Sequence, residues 1–240
     1  MLLALSAWMR VILGEAETAP PPGTPPLGAS LPGGTMSRDL PPDRERIRRA
    51  LHEAVTAHPL HRELVQVHHL GGCQYFAFAG AMLLETLGCG RAEVALGRVA
   101  FRSVLPSARP GARPRARSRW IGYPASRADL RVPDPAQRRR KAEAFPFHAW
   151  IRLAGPGGRC WTIDFDLTNV LREAQLQAPQ ERLRAAPAFW GSGREAQAAG
   201  LRFEAQRCLT PDALMPGDRR VFEAIAEDAR ARLTATRSCG

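Results

Sequence analysis

Residues 145–166 read FPFHAWIRLAGPGGRCWTIDFD. Two apolar runs flank Ala154-Gly155-Pro156-Gly157-Gly158, and this Gly/Pro turn predicts a β-hairpin with strands over 147–153 and 159–165. The hairpin accounts for the hydrophobic pattern but not for His148 at the head of the first strand or Asp164 near the end of the second. A tight hairpin through this turn pairs position 148 with a residue near 164, so the two side chains come side by side. Asp166, two residues on, falls on the same face, opposite Pro146. There it is placed to cap the turn at Thr168-Asn169 or to meet an arginine.

Upstream, residues 71–88 read GGCQYFAFAGAMLLETLG. Gly71-Gly72 break the chain, Cys73 follows at once, and the apolar run ends at Gly88, a natural helix stop. Its apolar residues lie nearly all round, which predicts a helix buried on most faces. Before it, Asp43 is a candidate N-cap for a helix with Ile47, Leu51 and Val55 at helical spacing, and a second short helical stretch covers 61–69. After it, Val94, Leu96, Val99 and Phe101 predict a strand over 92–101. Residues 102–144 read as an irregular insertion: five arginines stand among prolines and small residues from Arg109 to Arg119, and a short basic helix is predicted over 135–144. Residues 170–186 and 216–235 read as helices, and Phe189-Trp190-Gly191 as a packing aromatic pair in a loop. Helices, then antiparallel strands, then helices make an α+β layout.

The chain has 240 residues, 45% of them hydrophobic, and a formal net charge of +11. That is enough apolar material for a buried core, and no run approaches the roughly 18 uncharged residues that span a bilayer. The positive balance admits an acidic partner for the arginine-rich insertion. Heavy use of Ala, Arg, Gly and Pro, with Lys141 the single lysine, is equally what a GC-rich genome produces. Five cysteines without a CxxC fit neither a disulfide framework nor a zinc site, and free thiols point to the cytoplasm. Residues 1–40 read as a Pro/Gly-rich leader too poor in apolar periodicity to pack, with Met36 a second candidate start, and 41–238 as the domain.

A thiol attacks as the thiolate, helped by a helix N-terminus, an imidazole and an acid that orients the imidazole. Cys73 begins the central helix, where the dipole favours negative charge and backbone N–H groups can hold an oxyanion. His148 and Asp164 supply the other two groups. Gln74 offers an amide donor or points into the core, Gln66 approaches the site from upstream, and Trp150 lies on the histidine strand. His68-His69 with Cys73 match no common metal-ligand spacing, and Cys160 faces away from Trp161. A nucleic-acid binding surface would want aromatics among the 109–119 and 138–141 arginines, and only Trp120 and Tyr123 stand near.

HAWIRL…GGRCWTID resembles the histidine and aspartate segments of transglutaminase-like cysteine enzymes, and GGCQYFAFAGAMLLETLG resembles their nucleophile helix. The order Cys, His, Asp is the family's order, and 16 residues separate His148 from Asp164. The likeness covers roughly 61–101 and 145–170. In outline it is similar to arylamine acetyltransferases and to leader-peptide peptidases of bacterial peptide maturation. It implies a cysteine-proteinase-like fold with the nucleophile helix packed on an antiparallel sheet. It also implies a bacterial hydrolase or acyltransferase acting on a peptide, amide or acyl substrate without a cofactor. Cys73 would be the nucleophile, His148 the base and Asp164 the orienter. Here the acid is followed by Phe165-Asp166-Leu167-Thr168 where the family often has Pro-Thr, which makes Asp166 a rival. A degenerate site on an interaction module using the basic insertion is the alternative.

Overall fold

In a computed structural model, residues 44–62, 72–104, 118–126, 128, 147–155, 158–214 and 216–235 are described. The leader, Gln66, His68-His69 and the basic stretches at 109–117 and 138–141 lie outside them. The elements in chain order are α1 (Arg44–Ala57), a single turn at Pro59–His61, α2 (Gly72–Thr86), β1 (Arg91–Val104), β2 (Ser118–Tyr123), β3 (His148–Ala154), β4 (Cys160–Asp164), α3 (Leu167–Gln177), β5 (Phe189–Gly191), α4 (Gly193–Ala198), β6 (Leu201–Leu209), a 3-10 turn at Pro211–Ala213, and α5 (Pro216–Ala235). The architecture is α+β, with a curled antiparallel sheet in the order β2-β1-β3-β4-β5 and β6 paired to β1.

Residues of β1 alternate between two cores. Ala92, Val94 and Leu96 face α1, α2 and α5, joining Leu51, Leu83, Ile151 and Phe222. Val99 and Phe101 face the opposite way, with Leu167 and Val170 of α3, Ala196 of α4 and Leu201. Helices therefore cover both faces of the sheet, and α2 is apolar nearly all round because it is enclosed between the sheet, α1 and α5. At Gly80 a Cβ would lie 2.9 Å from Ile151 Cδ1 and 3.0 Å from Phe165 Cε2.

The helix end sets what the other end can reach. Gly88 takes φ +69°, and the Glu85 carboxylate accepts from the Ala92 backbone N–H at 2.8 Å, tying the end of α2 to the start of β1. Arg91 pairs with Ala154, the last residue of β3. Fifteen helical residues rise about 22 Å and seven strand residues about 23 Å. The two elements run alongside each other, so the first residues of α2 arrive at the first residue of β3.

Several expected features differ. The insertion is not irregular throughout, because Ser118–Tyr123 forms β2, paired with β1 from Val104 to Val99. The helix expected over 170–186 is Leu167–Gln177. Pro179 disfavours helical backbone at Ala178, which sits at φ −139°. The Gln175 amide then donates to the carbonyls of Ala178 and Glu181 and accepts from Leu183 N–H, so its side chain does the work of missing helical bonds. Phe189-Trp190-Gly191 is strand β5 rather than a loop, with the Arg44 guanidinium over both Trp161 and Trp190. The helical stretch expected over 61–69 is a single turn at Pro59–His61 in its described part.

The hairpin register also differs by two residues. Ile151 pairs with Ile163 and Leu153 with Trp161, which puts Asp164 opposite Trp150, not His148. Asp166 leaves the sheet altogether and occupies the N-cap position of α3.

Candidate active site

His148 opens β3 and is 1% exposed; Asp164 closes β4 and is 2% exposed. Residues opposite in a ladder share a face, so Asp164, opposite Trp150, lies on the face that carries His148. The diagonal is short enough for His148 Nε2 to lie 2.5 Å from Asp164 Oδ2. The other carboxylate oxygen accepts from the Asp166 backbone N–H at 3.0 Å. Asp166 itself takes a bond from Asn169 Nδ2 at 2.8 Å. Its carboxyl is pushed up by burial, with the Asn169 bond pulling the other way. Its side chain thus meets Asn169 without capping the backbone of α3, and its amide helps to fix Asp164.

With Nε2 committed to Asp164, the ring's Nδ1 is left for the thiol. Cys73, second residue of α2 and only partly buried, lies within reach of the imidazole, which its thiol helps to raise. Burial opposes a charge on His148, but the Asp164 carboxylate and the bonds to Asp164 and Cys73 outweigh it and raise the imidazole to about 10. The ring is therefore held protonated at neutral pH. Trp150, one of the most buried large side chains, stacks beneath it at 6.1 Å and 25°, and rests in turn on Phe203. β6 can pass this close because β1 has Gly97 opposite His148: a Cβ there would run into the Glu204 carbonyl, and β6 absorbs the approach with a bulge at Gln206.

The structure thus brings Cys73, His148, Asp164 and Trp150 together. Gln74 is buried, 5% exposed, on α2. Cys160 is exposed at the far end of the hairpin, beside Arg152. Tyr123, at the end of β2, entered the sequence reading only as an aromatic near the arginine run, not as a site residue. Its phenol is pushed up by burial and then by the charges of Cys73 and Glu173, and so keeps its proton. The alternation of Trp120 and Gly122 against Ile121 and Tyr123 was a signal for the strand, but nothing local marks its last residue as part of a site.

Among the described residues no cluster of three His, Cys, Asp or Glu side chains could hold a metal ion, and no helix is long and apolar enough to cross a membrane. The chain matches no protein-family model, no curated protein and no solved structure.

Proposed function

We propose that this chain is a thiol-dependent hydrolase or acyltransferase of the transglutaminase-like kind, acting on acyl or amide bonds through Cys73, His148 and Asp164. One observation carries the reading: a buried imidazole whose Nε2 is held by a carboxylate stands within reach of a partly exposed thiol at a helix start. The imidazolium stabilises the Cys73 thiolate, which attacks the carbonyl carbon. The C–S bond forms and the carbonyl π pair moves to oxygen. When that pair returns, the bond to the leaving group breaks, and the His148 proton goes to the departing amine. Water or an amine then takes the acyl group from sulfur.

The family likeness adds the order of the three residues and the packing of the nucleophile helix on an antiparallel sheet. An acidic partner for the basic insertion draws less support. Arg119, the described member of the 109–119 run, is held 2.5 Å from the buried Glu181. The test is an acyl-enzyme: incubation with p-nitrophenyl acetate should add one acetyl mass to the peptide containing Cys73. Acetylation spread over several side chains, and unchanged in Cys73→Ser, would reject the reading.

A further inference from the structure

Two strands share one edge of β1. β3 covers Arg91 to Gly97, with His148 opposite Gly97, and β2 covers Val99 to Val104, with Tyr123 opposite Val99. Only Arg98 lies between them. Partners in a ladder share a face, and Gly97 and Val99 are two apart, so Tyr123 and His148 stand on the same face of the sheet. Their positions are about 7 Å apart along β1. The end of β2 meets the start of β3 here, and both Tyr123 and His148 feel the Cys73 thiol.

This junction is fixed. The Arg98 side chain fills the gap, donating to the carbonyls of Pro124 at 2.9 Å and Ala125 at 3.1 Å and pairing with Glu204 at 3.4 Å. It lies directly over Gly122, where any side chain would collide with the guanidinium. The start of β2 is held as firmly, because the buried Ser103 and the exposed Arg119 both bond the Glu181 carboxylate. The Tyr123 ring packs half-buried against the second core. No hydrogen bond joins its phenol to the thiol, but the thiol's charge helps to raise the phenol.

We infer that Tyr123 is a further catalytic residue, whose O–H donates to the oxyanion that forms when Cys73 attacks a carbonyl. The inference rests on the thiol-enzyme reading above. The phenol keeps its proton throughout: it donates a hydrogen bond to the oxygen that gains the π pair, and releases it when the carbonyl re-forms. Tyrosine suits this place because burial and the neighbouring thiol and Glu173 both disfavour its ionised form. A donor aimed at charge that develops only in the transition state accelerates acyl transfer without changing the intrinsic reactivity of the thiol.

Two reagents separate these effects on the full chain. Iodoacetamide alkylates sulfur by displacement at carbon and forms no oxyanion; p-nitrophenyl acetate acylates through one. Tyr123→Phe keeps the ring and its packing, and an unchanged melting temperature would verify that. Release of p-nitrophenolate by Tyr123→Phe should fall by about tenfold or more, while alkylation of Cys73 keeps its wild-type rate and pH profile. Equal loss in both reactions would mean that Tyr123 acts on the thiol, and no loss in either would mean that it acts on nothing; each overturns the inference. A wild-type Cys73 that is alkylated but never acylated also overturns it. A Cys73 that reacts with neither reagent overturns the reading beneath it.

Discussion

His148 Nε2 and Asp164 Oδ2 lie 2.5 Å apart although the two residues are not ladder partners, Asp164 standing opposite Trp150. The bond is a diagonal one at the open end of the hairpin, where β4 ends and the chain turns into α3. Asp166 contributes its backbone N–H to the same carboxylate and keeps its own side chain for Asn169. Asp164→Asn should therefore remove the orienting charge and cost acylation by p-nitrophenyl acetate up to about 10⁴-fold. Asp166→Asn preserves the amide that holds Asp164 and should cost a small fraction of that. Comparable losses in the two variants would mean that the two carboxylates act together.

Stability should peak near neutral pH, for two opposed reasons. His148 holds its proton more tightly folded than unfolded. Its contribution is complete below about 6.5 and lost as pH rises towards about 10. His61 is the reverse case. Buried against Tyr75 and Phe76, it is lowered to about 4, chiefly by burial and then by His52 and His58, so folding is penalised as pH falls from 6.5 towards 4. Urea unfolding across the pH range checks both limbs. His61→Phe should flatten the acid limb and leave the alkaline one, whereas Asp164→Asn should flatten the alkaline limb.

Gly80 should resist enlargement. A helix-interior glycine costs about 1 kcal/mol against alanine, so a substitution there gains propensity if it has room. It has little: Ile151, Phe165 and Leu51 all lie within 3.1 Å of a Cβ built at this point. Gly80→Val should lower stability by about 1–3 kcal/mol through overpacking, and by more than Gly80→Ala. Thermal melts decide the order. A valine variant as stable as wild type would show that α2 can slide on the sheet.

The parts of the fold legible in sequence were those with strong periodicity. The hairpin, α1, α2 and α5 have dense apolar patterns bounded by Gly or Pro, and the thiol, imidazole and carboxylate each sat at an element end. What escaped had weak or interrupted patterns. β2 directly follows the Arg/Pro run, which masks its alternation. β6 is an edge strand with most of LRFEAQRCL exposed or half-exposed, so it need not alternate cleanly. β5 has three residues. α4 carried a readable start in Ser192-Gly193-Arg194-Glu195, a capping box in which Glu195 N donates to Ser192 Oγ and Glu195 Oε2 accepts from Ser192 N. The two-residue register error came from assuming a symmetric tight turn, and Tyr123 could be found only once the register of three strands on β1 was known.

The central claim is that His148 holds the Cys73 thiolate, and alkylation tests it most directly. Four other cysteines serve as internal controls in the same chain, so each rate can be followed by peptide mass after a brief pulse of iodoacetamide. An ordinary thiol is only a few per cent ionised at pH 7, and only the thiolate attacks. Cys73 should react first at pH 7, and His148→Ala should slow it about 30-fold, to the pace of an unassisted thiol. A Cys73 that reacts no faster than Cys160 or Cys208, with the same pH profile in wild type and His148→Ala, would contradict the account.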